Sequence, residues 1–328
     1  MIREISPASA MEWFNNLPLD RQIATLSPEY IVADAARDRS LQPVFALYVD
    51  SRGFWLHGAH WATIPMRAGR YDIQSPYGYG GPVTDCDDAA FLADAWTCYQ
   101  RWCREKGAVV EFVRLHPLAT WQHYLGVVVP DRQTVVVDLA GVGLRERYET
   151  RCRTAVRKAE KAGLVVREYP VNAIASIFPE FYREGMTRIG ASSFYCFHDE
   201  YFQCLAALKN VHLFVCELDG VWMSAGLFLS GGSCFEYHLS ATTIEGRALS
   251  ATNLLIDAAA TVAQQAGKKW LYLGGGTDSS DSNPLLRFKE GFSSIRRLYN
   301  YGYAIHDKAY YHSLQAEYPE SNRVLFYR

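Results

Sequence analysis

The order of predicted elements after residue 210 constrains the fold more than any other feature of the sequence. Three runs rich in β-branched and aromatic residues, separated by Asp-Gly and Gly-Gly turns, predict an antiparallel meander. They span 211–218, 221–230 and 233–240. A helix over 251–267 and a short apolar run from Trp270 follow. Because a strand reached through a helix usually runs parallel to its predecessor, this segment predicts an α/β unit with a mixed sheet.

The stretch from Lys268 to Phe292 is the first candidate for a binding site. Its apolar run is long enough for a buried strand, and Gly274-Gly275-Gly276 ends that strand. A polar loop leads to Pro284, where a short helix carrying Phe288-Lys289 is expected to begin. Such a strand, loop and helix can form the wall of a ligand cleft or merely a turn. Neither a Walker motif nor GxGxxG is present.

Composition restricts the class of protein. The chain has 328 residues, 49% of them hydrophobic, and a formal net charge of −2, which predicts a soluble globular protein with a sizeable core. It lacks a transmembrane-length apolar run and an apolar signal region at its N-terminus, so we expect a cytoplasmic location. The eight cysteines show no CxxC spacing and are expected to be free thiols. His57 and His60 have no clustered third ligand, so no metal and no resident cofactor are predicted.

The first 140 residues alternate predicted strands and helices. An amphipathic helix over 91–106 precedes a strand over 108–115, and two further strands are expected at 124–129 and 134–139. Between the first strands and the helix lies SPYGYGGP, residues 75–82, which glycine and proline exclude from regular structure. Its two tyrosines, Tyr77 and Tyr79, fit a rigid surface loop and a ligand-facing loop equally well.

The strongest predicted helix runs from Gly143 to Gly163. Apolar residues recur three or four positions apart on one face, at Leu144, Tyr148, Cys152, Ala155, Ala159 and Ala162. The remaining surface is rich in cations in a chain that is otherwise neutral to acidic. This pattern fits a solvated face, or a contact with a phosphorylated small molecule, a nucleotide or RNA. The candidate phosphate-binding residues are Arg147, Arg151, Arg157, Lys158 and Lys161.

Three stretches carry a family resemblance. They are AVRKAEKAGLVV at 155–166, the segment from Tyr237 to Gly267, and WLYLGGG followed by LLRFKEGF. With them the chain resembles the FemABX branch of the GNAT acyltransferase superfamily, and its compact size is closer to FemX than to the larger Fem proteins. The resemblance implies two GNAT-like domains, each a mixed sheet flanked by helices. The degenerate N-terminal domain would span 1–140 and the acyltransferase domain 141–306, with 307–328 predicted to pack on the first.

The resemblance also implies an activity: transfer of an aminoacyl group from aminoacyl-tRNA to an amine, without a covalent enzyme intermediate. The acceptor would be a nucleotide-linked or other small molecule in cell-wall, polysaccharide or peptide natural-product synthesis. The implied catalytic pair is Phe288 and Lys289, with Lys289 placed to stabilise the oxyanion or the leaving ribose oxygen. The proton acceptor is left open between His238, Glu236 and a substrate phosphate. The implied substrate-binding residues are Arg188, Tyr237, Tyr77, Tyr79, Gly275 and Arg247.

One departure from the family pattern bears on the donor. GNAT enzymes that use acyl-CoA hold its pyrophosphate on a glycine-containing loop at a helix N-terminus. The corresponding segment, Arg247 to Thr252, has Ser250 and Thr252 at those glycine positions, which disfavours CoA. Two alternatives therefore remain beside the tRNA-dependent enzyme. One is an acyl-CoA-dependent N-acyltransferase, and the other is a non-catalytic RNA- or anion-binding protein on the same scaffold.

Overall fold

The computed structural model describes residues 1–119 and 121–328, and its elements are numbered along the chain within those ranges. The strands are β1 (Arg3–Ile5), β2 (Gln42–Asp50), β3 (Gly53–Thr63), β4 (Tyr71–Gln74), β5 (Val83–Thr84), β6 (Ala108–Leu115), β7 (Val127–Asp138), β8 (Val165–Tyr169), β9 (Val211–Leu218), β10 (Val221–Ser230), β11 (Cys234–Thr242), β12 (Trp270–Gly275) and β13 (Arg296–Ile305). The helices are α1 (Pro7–Asn15), α2 (Pro28–Ala35), α3 (Ala89–Glu105), α4 (Thr150–Lys161), α5 (Asn172–Ser176), α6 (Phe178–Arg188), α7 (Asp199–Ala206), α8 (Ile244–Ala248), α9 (Ala251–Gln265), α10 (Pro284–Glu290) and α11 (Lys308–Gln315).

The chain forms two compact units, and one of them is discontinuous. The N-terminal unit comprises Met1–Asp131 and Leu298–Arg328, and the second unit comprises Arg132–Arg297. Residues 132–140 thus belong to the second unit and residues 298–306 to the first, the opposite of the predicted division. Pairing accounts for the difference, because residues 134–138 pair with β12 and residues 300–305 pair with β6.

The N-terminal unit is built on a mixed sheet. Its strands lie in the order β1-β2-β3-β4-β6-β13, with β5 also paired to β3. The pair β4–β6 is parallel, and the other pairs are antiparallel. Helix α3 packs its aromatic face on this sheet, as the amphipathic pattern predicted. Helix α11 also lies in this unit, where Tyr311 and Leu314 pack against Ile64, Val109 and Phe326.

The second unit is built on mixed strands in the order β7-β12-β11-β10-β9-β8. The predicted meander is present as β9, β10 and β11, and β11 pairs with β12 in parallel. Helices α4 and α9 cover one face over a core that includes Val156, Leu255 and Leu271. Helix α6 contacts β11 so closely that a Cβ on Gly185 would lie 2.6 Å from Ala241 Cβ. Each unit is therefore an α/β layer structure, which confirms the predicted fold class.

The prediction of two strands at 124–129 and 134–139, with a turn at Asp131-Arg132, is wrong, because β7 is one continuous strand through both residues. A two-residue hairpin turn needs residues that accept a positive φ, such as Asn or Gly, and Asp-Arg does not supply them. After β8, two short helices, α5 and α6, follow one another and are divided at Ile177.

The predicted continuous helix over 143–163 is also wrong, and this error concerns the site. A short 3-10 turn, Arg145–Arg147, comes first, Tyr148 and Glu149 are extended, and α4 begins at Thr150. The Glu149 N–H donates to the Gly291 carbonyl at 2.9 Å instead of to a helical carbonyl. The predicted apolar face is nevertheless largely correct, since Leu144, Tyr148, Cys152 and Ala159 are all buried.

All eight cysteines are free, as predicted, and Cys103, Cys152, Cys216 and Cys234 are buried. Within residues 1–119 and 121–328, no cluster of three or more His, Cys, Asp or Glu residues is arranged to hold a metal ion. No helix in the same ranges is long and apolar enough to span a bilayer.

Candidate active site

The candidate site begins where two parallel strands separate. The pairing of β11 with β12 ends at Glu236 and Tyr272, although β11 continues to Thr242 and β12 to Gly275. Beyond this point β11 remains paired with β10, and β12 remains paired with β7. The two strands therefore leave an opening between them in the middle of the sheet of the second unit. Backbone groups at such an opening are available to a ligand.

Two structural requirements explain why glycine occupies the three positions at the end of β12. Gly274 has φ +74° and lies at an irregularity in the pairing of β12 with β7, so it turns the strand where the opening begins. Gly275 and Gly276 are required by close contacts. A Cβ on Gly275 would lie 2.8 Å from the Gln133 carbonyl oxygen, and one on Gly276 would lie 2.5 Å from Asn283 Oδ1.

Asn283 fixes the loop between β12 and α10. It is buried, and its Oδ1 accepts hydrogen bonds from the N–H groups of Leu285 and Leu286, which caps α10. Its Nδ2 donates to Thr277 Oγ1 at 2.7 Å and to Asp278 Oδ2 at 2.9 Å. One side chain thus joins the start of the loop to the helix that carries Lys289. The sequence signal for it, an Asn directly before the expected N-terminal proline, was not used in the prediction of site residues.

Lys289 is buried at the edge of the opening. Its side chain is 7% exposed, and Nζ donates to the Gly275 carbonyl oxygen at 2.7 Å. Burial lowers the pKa of Lys289 to about 7. Two of the three N–H donors of the ammonium remain for a substrate oxygen. A cation that is pre-positioned and shielded from water can stabilise a developing oxyanion far better than one in solvent.

The lowered pKa has a measurable consequence for stability. Between pH 7 and the ordinary lysine pKa of 10.5, the unfolded chain binds a proton at Lys289 that the folded chain has released. The free energy of unfolding therefore rises with pH in this window. We expect the wild type to gain stability relative to Lys289→Met by up to about 1.4 kcal/mol per pH unit. Urea denaturation of both proteins from pH 7 to 10 measures the difference between their free energies of unfolding. A difference that does not change with pH would contradict the lowered pKa of the buried amine.

The β11 side of the opening carries the two candidate proton acceptors, Glu236 and His238, and the predicted substrate-binding residue Tyr237. Tyr237 is half-buried with its ring 5.1 Å from that of Phe228, in the core beneath α4 and α9, and burial raises its pKa to about 12. Glu236, the preceding residue, points to the opposite face of the sheet. His238 is the extra residue of a β-bulge, where the pairing of β11 with β10 shifts register, and its ring contacts Tyr201 of α7. Glu236 is 2% exposed at the last paired position, whereas His238 is half-buried and lies beyond it.

Two predicted arginines lie at the far end of β11. Arg188, the last residue of α6, donates from its exposed guanidinium to the Thr242 carbonyl oxygen at 2.9 Å. Arg247 is exposed on α8, the short helix that follows β11. Both are positioned to meet an anionic group that approaches the end of this strand.

Helix α4 is attached to the elements that follow both strands of the opening. At its N-terminus, Arg151 donates to the Arg287 carbonyl oxygen of α10 at 2.5 Å. In its last turn, Lys158 Nζ donates to the Ala248 carbonyl oxygen of α8 at 2.6 Å. Arg145, just before α4, is tied to the buried Asp257 of α9 by two-pronged hydrogen bonds of 2.5 to 3.0 Å. The helix thus bridges α8 and α10.

The predicted cations divide into two sets. Arg151 and Lys158 use part of their donor capacity in the contacts above, and Arg151 also pairs with Glu149 at 2.5 Å. Arg147, Arg157 and Lys161 are exposed, and no ion pair with them is present in residues 1–119 and 121–328. We call these three residues the exposed cations of α4, with Arg147 included from the 3-10 turn just before the helix. Phe288 is half-buried, with its ring 5.7 Å from that of Phe292 in the core.

Tyr77 and Tyr79 lie in the N-terminal unit, in an ordered loop. The Tyr77 N–H donates to the buried Asp34, and the Tyr77 carbonyl oxygen accepts from Tyr30 at 2.6 Å. The Tyr79 ring packs edge-on against His116 at 4.8 Å. Of the predicted site residues, only these two lie outside the second unit.

Residues 146–290 match the model of a family described as the acetyltransferase (GNAT) domain. The chain carries a GNAT domain. Its second unit is hereafter the GNAT unit, and the opening between β11 and β12 lies within the matched residues. No curated protein matches the sequence significantly.

Comparison with solved structures extends the fold assignment to the residues outside 146–290. FemX superposes with a TM-score of 0.73 at 12% identity, over 96% of this chain and all of FemX. The C-terminal domain of a putative lysylphosphatidylglycerol synthetase from Agrobacterium fabrum has a TM-score of 0.58 at 13% identity, over 95% and 96% of the two chains. A tandem GNAT protein from the clavulanic acid pathway has a TM-score of 0.50 at 9% identity, over 93% and 98%. The predicted FemX-like tandem GNAT fold is confirmed.

Several residues of the GNAT unit were not predicted as part of the site. Asn283 fixes the loop, the pair Arg145–Asp257 anchors the segment before α4, and Tyr201 of α7 contacts His238. Arg145 and Asp257 are 112 positions apart in the sequence, and Tyr201 and His238 are 37 positions apart. No local sequence pattern encodes contacts over such separations.

Proposed function

We propose that this protein is an N-acyltransferase that forms an amide bond with aminoacyl-tRNA as its donor. The acceptor is an amine on a nucleotide-linked or other small molecule, as in cell-wall, polysaccharide or peptide natural-product synthesis. The observation that carries the proposal is the attachment of the basic helix α4 to both α8 and α10, which follow the two strands of the opening. A polyanion on the exposed cations of α4 lies beside the opening that Lys289 borders. Since such a donor is made in the cytoplasm, that is where we expect the protein.

The chemistry requires positioning rather than a nucleophile from the protein. The acceptor amine attacks the ester carbonyl of the aminoacyl group, and the ribose oxygen of the tRNA leaves. Lys289 stabilises the negative charge that develops on the carbonyl or ribose oxygen. Arg188 and Arg247 meet phosphates of an acceptor that is linked to a nucleotide.

A direct test offers radiolabelled aminoacyl-tRNA and acetyl-CoA separately to the protein with a pool of amine acceptors. RNase-sensitive incorporation from the tRNA supports the proposal and identifies the amino acid. Incorporation from acetyl-CoA alone assigns the protein to the CoA-dependent enzymes. RNA binding without transfer from either donor supports a non-catalytic RNA-binding protein.

The CoA-dependent enzyme is a second candidate, because the Thr252 side chain is held in a hydroxyl cluster and would not crowd a pyrophosphate at the N-terminus of α9. Its hydroxyl lies 2.6 Å from Thr242 Oγ1 and 3.2 Å from Ser224 Oγ, in a cluster of three hydroxyls between α9 and the sheet. The steric argument against a pyrophosphate at the α9 N-terminus therefore depends on Ser250, whose φ is +64°.

The exposed cations of α4 provide a separate prediction. We expect the triple variant Arg147→Glu, Arg157→Glu, Lys161→Glu to bind tRNA about 10- to 100-fold more weakly at moderate salt. If all three contact phosphates, the slope of log K against log salt falls by about 3. Filter binding or anisotropy at several salt concentrations measures both effects.

A matched control keeps the same change in net charge. Arg39, Arg101 and Lys308 are exposed cations of the N-terminal unit, and their replacement by Glu should leave tRNA binding nearly unchanged. Equal weakening by both triple variants would mean that net charge, rather than α4, governs binding.

A further inference from the structure

Asn283 and Asp278 form a hydrogen-bonded pair in the loop between β12 and α10. Asn283 Nδ2 donates to Asp278 Oδ2 at 2.9 Å, and Asp278 Oδ1 accepts the Ser280 N–H at 2.8 Å. Asn283 is 3% exposed, whereas Asp278 lies at the surface of the loop. The hydrogen bonds from Ser280 and Asn283 lower the pKa of Asp278, so its carboxylate is ionised and can only accept.

The orientation of the Asn283 amide is fixed from its other side. Oδ1 accepts the N–H groups of Leu285 and Leu286, which can only donate, so the atom directed to Asp278 is Nδ2. Leu286 is 2% exposed in the core beneath α4 and α9, and Lys289 follows it three positions later on the same face of α10. Asn283 therefore helps to determine which face of α10 presents Lys289 to the opening.

The same amide also holds the end of β12. A Cβ on Gly276 would lie 2.5 Å from Asn283 Oδ1, so the backbone at Gly276 lies directly against the amide. The preceding carbonyl group, that of Gly275, accepts the hydrogen bond from Lys289 Nζ at 2.7 Å. One side chain thus contacts both the helix that carries Lys289 and the strand end that supplies its acceptor.

We propose that Asn283 and Asp278 are a positioning pair that holds the loop closed on α10 and keeps Lys289 Nζ against the Gly275 carbonyl oxygen, at the edge of the opening. The inference rests on the proposed function, in which Lys289 stabilises charge on the reacting oxygen, and it adds the residues that hold Lys289 in place. A cation in a site stabilises such charge best when its position is fixed and water is excluded. Loss of the Asn283–Asp278 bond would loosen the loop and hydrate the amine.

The pKa of Lys289 reports whether the loop is closed. Burial lowers this pKa to about 7. Charged side chains on the surrounding elements are bound to other partners, namely Arg132 of β7, Arg151 of α4 and Glu290 of α10. Hydration of the amine in a loosened loop should therefore raise its pKa toward the ordinary value of 10.5.

The two positions permit a reciprocal exchange of side chains. Asn283→Asp places two carboxylates opposite each other, and Asp278→Asn places two amide NH2 groups opposite each other. In the double variant the new amide at position 278 can donate to the new carboxylate at position 283, which restores the bond in the reverse direction. Asp is as good an N-cap residue as Asn, so α10 should remain capped in every variant.

The transfer assay measures the effect on catalysis. We expect each single variant to lower kcat about 10-fold with an unchanged KM for the donor, because the fault lies in the placement of Lys289. The double variant should return to within about threefold of the wild type. Ser280→Ala is the matched control, since its exposed hydroxyl group bonds only within the loop, to Ser282, and kcat should stay within about twofold. A double variant as slow as the single variants would overturn the pairing.

Unfolding supplies a second readout that needs no substrate and that a merely structural bond would not change. In each of the four backgrounds, the free energy of unfolding is compared with that of the same protein carrying Lys289→Met, from pH 7 to 10. The difference should rise with pH in the wild type and the double variant, and much less in the single variants, where the pKa of Lys289 approaches its unfolded value. An equal rise in all four backgrounds would overturn the proposal. Absence of transfer by the wild type would instead refute the proposed function and leave this comparison intact.

Discussion

Replacing Lys289 by Met should lower the rate of transfer by about 10²- to 10³-fold, the usual cost of losing one donor to an oxyanion. Met has nearly the same length and removes only the charge and the hydrogen bond to the Gly275 carbonyl oxygen. Because the amine is 7% exposed and has a pKa of about 7, its charge is costly to the fold, so the variant should remain folded. Initial rates with a saturating donor measure the effect.

Lys268 offers a matched control for this prediction. It is also a partly desolvated lysine of the GNAT unit whose pKa burial lowers, and it donates to the carbonyl oxygens of Gly231 and Gly232 at 2.5 and 3.0 Å. It therefore makes the same type of contact at the turn before β11, away from the opening. Lys268→Met should leave kcat within about twofold of the wild type. Equal losses in the two variants would show that the Lys289 effect is structural.

Replacing Glu111 by Ala should destabilise the N-terminal unit by about 3–5 kcal/mol, as expected when one partner of a buried ion pair is removed. Glu111 is fully buried, and its Oε1 lies 2.6 Å from His57 Nε2 and 3.0 Å from the Tyr99 hydroxyl oxygen. Tyr124 donates to Oε2 at 3.3 Å. Burial alone would raise the pKa of Glu111, but His57, His306 and the Tyr99 hydroxyl together outweigh it and the pKa is lowered, so the carboxylate is ionised. Its loss leaves three buried polar groups without an acceptor.

Urea denaturation followed by tryptophan fluorescence measures this cost. Of the eight tryptophans, only Trp222 and Trp270 lie in the GNAT unit, so fluorescence reports mainly on the N-terminal unit. Glu105→Ala is the control, because Glu105 is exposed at the end of α3 and should contribute less than about 0.5 kcal/mol. A cost for Glu111→Ala no larger than that of Glu105→Ala would mean that the buried network does not stabilise the unit.

The sequence predicts those parts of the fold in which a local pattern determines the structure. The strands of the meander are bounded by Asp-Gly and Gly-Gly turns and alternate along their length, and β9, β10 and β11 were found where expected. Strand β6 was predicted with its observed bounds, because it is a β-branched run between Gly107 and His116-Pro117.

Other parts depend on contacts made far along the chain. The 3.6-residue period from Leu144 to Ala162 is unbroken, yet the helix is interrupted because the Glu149 N–H bonds to Gly291, 142 residues later. The unit boundary was misplaced for a similar reason, since pairing partners rather than composition decide the unit to which β7 and β13 contribute. The side-chain partners of His238 and Lys289 are also tertiary contacts. The two residues could therefore be predicted from the sequence, but their hydrogen-bond partners could not.

The discontinuity of the N-terminal unit has a consequence for synthesis on the ribosome. Residues 132–297 emerge before residues 298–328, which supply the strand that pairs with β6 and the Arg328 guanidinium that binds the buried Asp72 at 2.8 Å. The GNAT unit can close on itself early, because the Thr134 hydroxyl donates to the Arg297 carbonyl oxygen near the two ends of this segment. The N-terminal unit is therefore translated first but completed last. Until β13 has been synthesised, the edge of β6 that pairs with it remains unpaired. Such an edge is a site for misassembly and chaperone binding.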